Sequence, residues 1–354
     1  MSNNFTIKEF DPFIASEETY KEITKLLHAL RREVEPIDPL TPMEQIIRGF
    51  KQKHPHYDWK HWLIYDEKKI IAYANIIYPK KGTEIYEQNK SIAYPRIQIH
   101  KTYRRKGLGT RMMKIFLEEL STNHNEVTTL EREADSESGK KFSEKLQGTI
   151  VLSNIESRCN LENIDWKLME EWRKAGRELT KTSGVKLLTY EKVPDVQLSN
   201  FCNLWSELDN QQPLGEIDSK DVCTPKIRRE QEDHNKGLGY RRLTIIAQEK
   251  DGILSGLTEV QTHKTNPYRI TQELTGVKEQ YRNRGLGKWL KAEMVYQIRD
   301  KYPEAKYILT GNAAINKAML SINNRMGFKE HKKSNQYKFT VKKLKKVLEN
   351  LTTN

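Results

Sequence analysis

The sequence is poor in cysteine: Cys159, Cys202 and Cys223 are the only three in 354 residues, widely spaced and odd in number. That spacing fits neither a zinc site nor a disulfide framework, so these residues read as buried or half-buried thiols of a reducing compartment, and no metal is expected. No apolar run approaches the roughly eighteen residues of a spanning helix. The start, Met1-Ser2-Asn3-Asn4-Phe5, lacks a basic cluster followed by an apolar stretch. No secretory leader and no membrane partner are therefore expected, and the expected location is cytoplasmic. Helix-turn-helix patterns, zinc spacings and aromatic stacking motifs are also missing. The net charge of +13 calls for an anionic partner and is the only feature that suggests nucleic-acid binding, so no nucleic-acid partner is expected. The densest basic stretch, Lys342-Lys343-Leu344-Lys345-Lys346, alternates with apolar residues at helical spacing and reads as the solvated face of a C-terminal helix.

What the sequence does contain is an internal repeat. IQIHKTYRRKGLGTRMMKIFLEEL is echoed by LTGVKEQYRNRGLGKWLKAEMVYQI, and Gly107 and Gly285 are 285 − 107 = 178 residues apart, about one domain length. The flanks repeat as well. TYKEITKLLHALRREVEP and TPMEQIIRGFKQ have helical spacing, HWLIYD and IIAYANIIY read as paired strands, and AYPRIQIH leads into the first glycine loop. In the second half VQLSNFCNLWSEL reads as a helix. LTIIAQE and LSGLTEVQTH form a hairpin across Asp251-Gly252, and RITQELTGV enters the second loop. Between the halves IDWKLMEEWRKAGREL reads as a connecting helix ended by Thr182-Ser183-Gly184. The expected organisation is an α/β chain with mixed sheets: an N-terminal domain over 1–160, a connector over 161–184 and a C-terminal domain over 185–354.

Each glycine loop follows a strand and opens an amphipathic helix. Such a loop aims several backbone N–H groups at one point, and the helix dipole adds positive potential there. Arg104 with Arg105, and Arg282 with Arg284, supply charge nearby. The expected ligand is a phosphate or pyrophosphate. Neither loop has the Gly-Lys-Ser/Thr of a P-loop. Met112 and Leu290 occupy the position of the third glycine of a dinucleotide fingerprint.

In these residues the chain resembles the GNAT superfamily of acyl-CoA N-acyltransferases, in a tandem arrangement similar to mycothiol synthase-like proteins. The resemblance rests on Arg104-x-x-Gly107-x-Gly109 and Arg282-x-x-Gly285-x-Gly287, and on TGNAAINKAMLSINNRMGFKE, which ends in Gly327-Phe328. It implies acetyl-CoA as acyl donor and a strand splayed from its neighbour to admit the pantetheine arm. The implied cofactor contacts are Ile99, Arg104, Arg105, Lys106, Gly107, Leu108, Gly109 and Thr110 in the first copy. In the second they are Val277, Arg282, Asn283, Arg284, Gly285, Leu286, Gly287, Lys288 and Asn316. The later block of the first copy, ESGKKFSEKLQGTIVL, only loosely echoes the Gly-Phe ending, which favours the C-terminal domain as the active one. There Asn323 stands where many members place the Tyr that protonates the leaving thiolate.

Acyl transfer to an amine needs a base, donors for the oxyanion and an exit for the thiolate. Glu273 is the first candidate base and Glu259 the second; Tyr337 is a candidate acid, and the resemblance implies an oxyanion donor around Gly276 and Val277. His100 and His263 read as solvated strand ends. The expected function is an N-acetyltransferase for a small-molecule amine, acting as monomer or homodimer. The competing readings are a protein or peptide N-acetyltransferase and a non-catalytic acyl-CoA sensor.

Overall fold

The computed structural model describes residues 5–213, 215–217 and 221–353. The elements run β1 (Thr6–Glu9), α1 (Glu17–Val34), α2 (Met43–Lys51), β2 (Tyr57–Asp66), β3 (Lys69–Pro79), α3 (Tyr86–Asn89), β4 (Ile92–Ile99), α4 (Leu108–Asn123), β5 (Thr129–Ala134), α5 (Glu137–Lys145) and β6 (Thr149–Asn160). They continue with α6 (Trp166–Ser183), β7 (Lys186–Tyr190), α7 (Asp195–Asn210), α8 (Pro225–Leu238), β8 (Tyr240–Gln248), β9 (Leu254–His263), β10 (Asn266–Val277), α9 (Leu286–Lys301), β11 (Tyr307–Ala313), α10 (Lys317–Met326), β12 (Lys329–Thr340) and α11 (Val341–Thr353). No helix among the described residues is long and apolar enough to cross a membrane.

Two compact units result. The first comprises Met1–Leu152, Glu216–Lys220 and Asn335–Asn354; the second comprises Ser153–Gly215 and Asp221–Ser334. The division falls inside β6, at 152 rather than 160, and the end of the chain from 335 belongs to the first unit.

In the first unit β1, β2, β3 and β4 pair antiparallel in sequence order, β5 joins β4 in parallel, and residues 335–340 of β12 close on β5 antiparallel. The core lies where α4 and α11 cover the sheet: Met112, Met113 and Phe116 meet Trp62, Ile71, Leu130 and Phe339. Leu344, Val347 and Leu348 carry α11 into this core while Lys342, Lys343, Lys345 and Lys346 stay exposed, as the alternation in the sequence requires.

In the second unit β7, β8, β9 and β10 are antiparallel, β11 joins β10 in parallel, and β6 pairs with β11 antiparallel. One face is covered by α6 and α9, with Trp172, Leu290, Met294 and Ile298 over Leu243, Ile245, Val260 and Ile270. The helix α6, which the sequence presents as a connector, packs here against α9. At their crossing Gly176 is so close that a Cβ would stand 2.1 Å from the Trp289 ring. The opposite face holds a smaller core in which Leu198, Phe201, Cys202, Leu204 and Leu208 of α7 meet Ile246 and Leu257.

Candidate functional site

The two glycine loops fold alike. After each strand comes a single 3-10 turn, Lys101–Tyr103 or Glu279–Tyr281. Arg105 (φ 65°) and Asn283 (φ 62°) then take the left-handed conformation, as do Gly107 (φ 80°) and Gly285 (φ 85°) two residues on. A non-glycine residue held there is strained, and such alternating backbone gathers N–H groups into an anion-binding concavity. Gly107 and Gly285 are the N-caps of α4 and α9, and neither helix start has a side-chain cap. The first helical bonds run from Arg111 and Trp289 back to these glycines. The amides of Leu108, Gly109 and Thr110, and of Leu286, Gly287 and Lys288, are therefore left without intrahelical partners. A Cβ on Gly107 or Gly285 would meet nothing within 4 Å, so each glycine answers to its backbone conformation and to the open space in front of it.

The motif arginines do not point at this opening. Arg104 donates from Nε to the Ile99 carbonyl at 3.0 Å and clasps Glu33 with both terminal nitrogens at 2.5 and 2.7 Å. Arg282 repeats the arrangement, with Nε on the Val277 carbonyl at 3.1 Å and a terminal nitrogen on Gln211. Arg284 is held on Glu249 at 3.1 Å. Arg104 and Arg282 brace their loops against the strand before and a helix beside, Arg284 fastens its loop to Glu249 past the end of β8, and the uncapped backbone amides are what the loops offer to an anion. Lys106 lies over the Tyr103 ring, 5.0 Å from its centre, while Arg105 is exposed and Lys288 half-buried.

In both units the parallel strands part beside the loop. β4 pairs with β5 only at Ile92–Thr129 and Ala93–Leu130, and β10 with β11 only from Arg269–Tyr307 to Gln272–Thr310. Beyond these pairs the two strands of each unit share no ladder pairing among the described residues.

The units differ on the strand itself. β4 runs in unbroken register with β3 from Tyr94 to Ile99. In β10 the register shifts between Gln272–Val260 and Thr275–Thr258, so three steps on β10 face two on β9. The extra residue makes a bulge at Glu273 and Leu274, which leaves backbone out of the ladder at the fork of β10 and β11. Gln272 stabilises it. Its buried carboxamide donates to the Glu259 carbonyl at 2.6 Å and lies 3.1 and 3.2 Å from the Thr258 and Thr275 hydroxyls, which also bond each other at 2.8 Å. At the repeat offset the first copy has Pro95 in place of Glu273, and proline has no N–H to offer.

Glu273 is half-buried and, among the described residues, its carboxylate accepts no hydrogen bond. Burial raises its pKa above the ordinary carboxylate range. Arg242 opposes that rise, Glu259 adds to it, and Arg269 opposes it. Glu259 is a different case and corrects the reading of it as a base. It is 0% exposed and accepts from Arg228 at 2.7 Å, Arg242 at 3.0 Å and the Thr244 hydroxyl at 2.7 Å. Burial alone would raise its pKa, but the two guanidinium groups outweigh it and hold the carboxyl at about 2. A carboxylate with its lone pairs occupied and so low a pKa is a poor proton acceptor.

Tyr337 must likewise be removed as the acid of this site. It lies on the part of β12 that belongs to the first unit, is 0% exposed, and has its hydroxyl 3.4 Å from Glu144. Asn316 caps α10, accepting from the Met319 amide at 3.2 Å, and in the first unit Ser136 caps α5 in the same manner. Asn323 is buried and donates to Asn312 at 2.8 Å; it carries no acidic proton. His263 is not a solvated end but buried against Tyr240, with Nε2 2.9 Å from the Leu238 carbonyl, whereas His100 contacts Thr102 at 2.9 Å.

Several residues here carry no motif signal. Arg228 comes from α8, which the sequence hides in a charge-rich run. Gln272 and Arg242 look like ordinary strand polar residues. Asp209, near the end of α7, is buried and pushed up to about 6 by burial and then by Asp221. Its neighbour Leu208 packs on Gly276 beside the bulge.

Comparison with known proteins follows the same lines. Residues 21–148 match the model of the Acetyltransferase (GNAT) family. A tandem GNAT protein from the clavulanic acid biosynthesis pathway superposes with TM-score 0.74 at 18% identity, covering 96% of this chain and 99% of that one. A GCN5-related N-acetyltransferase from Sphaerobacter thermophilus gives 0.65 at 14%, covering 95% and 96%. The N-myristoyltransferase of Saccharomyces cerevisiae with bound myristoyl-CoA gives 0.54 at 12%, covering 96% and 78%. None of the curated proteins matches. At these identities the likeness is one of fold.

Proposed function

The chain is a tandem GNAT-fold protein, and from that premise we propose that its second unit transfers an acetyl group from acetyl-CoA to a primary amine of a small molecule. The observation that carries this reading is the β10 bulge, which sets free backbone and the Glu273 carboxylate at the fork beside a capless anion loop. The amides of residues 286–288 would hold the pyrophosphate, and the pantetheine arm would lie between the parted strands. An amide of the bulge, near Leu274 to Gly276, would donate to the oxyanion. Glu273 would take the proton from the acceptor ammonium, directly or through water. The amine nitrogen then bonds the acyl carbon and gives up its second proton to solvent, the carbon–sulfur bond breaks, and the electron pair leaves on the thiolate. With a thiol pKa near 8.5 the thiolate departs without the tyrosine that Asn323 replaces.

The first unit has the loop and the parted strands but an unbulged strand with Pro95, which favours binding of acyl-CoA there without transfer. The test is release of free thiol from acetyl-CoA with an amine panel. Turnover supports the enzyme; saturable coenzyme A binding with no thiol released by any amine makes the chain a sensor.

Gln272 provides an internal check. In Gln272→Leu the Glu259 carbonyl and two threonines lose their shared donor, and the bulge can relax toward a regular ladder. The expected result is a kcat about 10–100-fold lower with the KM for acetyl-CoA within about twofold, because the loop is untouched. Equal loss in both parameters would place Gln272 in general stability instead.

A further inference from the structure

Glu273 shares its side of the sheet with arginines. Side chains alternate along β10, so Arg269, Thr271 and Glu273 project opposite to Ile270, which lies in the core under α9. Arg242 of β8 reaches the same side. It stands across from Gln261, which in turn faces Thr271, and its next neighbour on that side is the Thr244–Glu259 pair. Arg242 is committed through Nη1 to Glu259 at 3.0 Å. Arg269 is not committed: it is half-buried and, among the described residues, has neither a hydrogen bond nor an ion pair. Farther along this side Arg158, across from Leu309, stacks 4.0 Å from the centre of the Tyr307 ring.

A half-buried guanidinium with no hydrogen-bond or ion-pair partner, on which Glu273 acts only at a distance, is costly to keep, and an incoming anion removes the cost. Resting on the acyltransferase reading, we propose that the acceptor is an amine that also carries a carboxylate or phosphate, with its amine at Glu273 and its anion at Arg269. A diamine would bring a second cation against Arg269 and Arg242. An amino alcohol would cover Arg269 without pairing it. Four steps along the extended strand separate the two α-carbons, about 13 Å at ordinary rise, and two long side chains shorten the gap between the charged ends. That span suits an amine and an anion several bonds apart, as in an ω-amino acid or a short aminoalkyl phosphate, better than an α-amino acid.

The test is steady-state thiol release from acetyl-CoA with ω-amino acids, ω-amino alcohols, α,ω-diamines and aminoalkyl phosphonates of matched chain length. The full-length wild type is compared with Arg269→Met and Arg269→Glu. The wild type should favour the anionic members by at least about tenfold in kcat/KM over amino alcohols of equal length. Arg269→Met should erase that preference by raising the acceptor KM while leaving the acetyl-CoA KM unchanged, and Arg269→Glu should turn it toward diamines. A wild type that favours neutral or cationic amines, or an Arg269→Met variant with unaltered discrimination, overturns the inference alone. No thiol from any member, with acetyl-CoA still bound, overturns the acyltransferase reading and the inference with it.

Discussion

Glu273→Gln should lower kcat by about a hundred- to ten-thousandfold, the range lost when a positioned general base is removed. The acid side of the pH profile should change with it. Transfer needs Glu273 ionised, and burial sets its pKa above the ordinary carboxylate range. The wild-type rate should therefore fall as pH drops through that raised pKa, and the glutamine variant should lose this limb. Stability should move the other way. A raised carboxyl pKa means that the ionised form is disfavoured by the fold, so replacing it with a neutral isostere should leave the melting temperature at neutral pH unchanged or higher. A variant that keeps its full rate across pH would remove Glu273 as base and turn attention to Asp209, a buried carboxyl with a raised pKa whose neighbour Leu208 packs beside the bulge.

Glu259→Gln should act on stability first. Glu259 is the shared anion of Arg228 from α8, Arg242 from β8 and the Thr244 hydroxyl. Removing it leaves Arg242 without its ion pair and Arg228 with Glu232 alone inside a buried cluster, at a cost of up to about 3–5 kcal/mol. At about 2–4 °C per kcal/mol for a unit of this size, the melting transition should fall by up to roughly 6–20 °C. The pH dependence has a definite sign. The carboxyl is held at about 2, below its usual 4.5, so its contribution is complete above about pH 4.5 and lost as pH falls toward 2. The gap between wild type and variant should therefore close over that acid window. A gap that persists there, or a variant melting with wild type at neutral pH, would show that the cluster does not brace α8 on the sheet.

Much of this was legible in the sequence. The repeated Tyr-Arg-x-basic-Gly-Leu-Gly gave both loops, because the left-handed positions and the uncapped helix starts leave few residue choices there. Alternation and helical spacing placed β2 to β4, β8 to β10, α7 and the apolar stripe of α11. The path of the chain end was less visible. Nothing local in KSNQYKFTVKKL tells a strand which sheet it will complete, and Tyr337 was read into the second unit for that reason although it is a core residue of the first. Glu259 looks like a free base in sequence because its partners lie 31 and 17 residues away on α8 and β8, and a strand carboxylate reads the same whether free or clasped. The motif arginines show a different limit of sequence: their spacing marks the loop, yet their side chains fasten it to the strand before it, which no local pattern tells.

The asymmetry of the two copies is the centre of the account, and blocking each anion loop separately tests it. Gly285→Glu and Gly107→Glu each place a carboxylate where a pyrophosphate would sit, at a left-handed position with free space around the new Cβ. Thiol release by the two full-length variants, with acetyl-CoA binding measured on the same samples, separates the units. Gly285→Glu should lose turnover by about a hundredfold or more while Gly107→Glu stays within about threefold of wild type. Turnover that survives Gly285→Glu and disappears with Gly107→Glu would contradict that asymmetry.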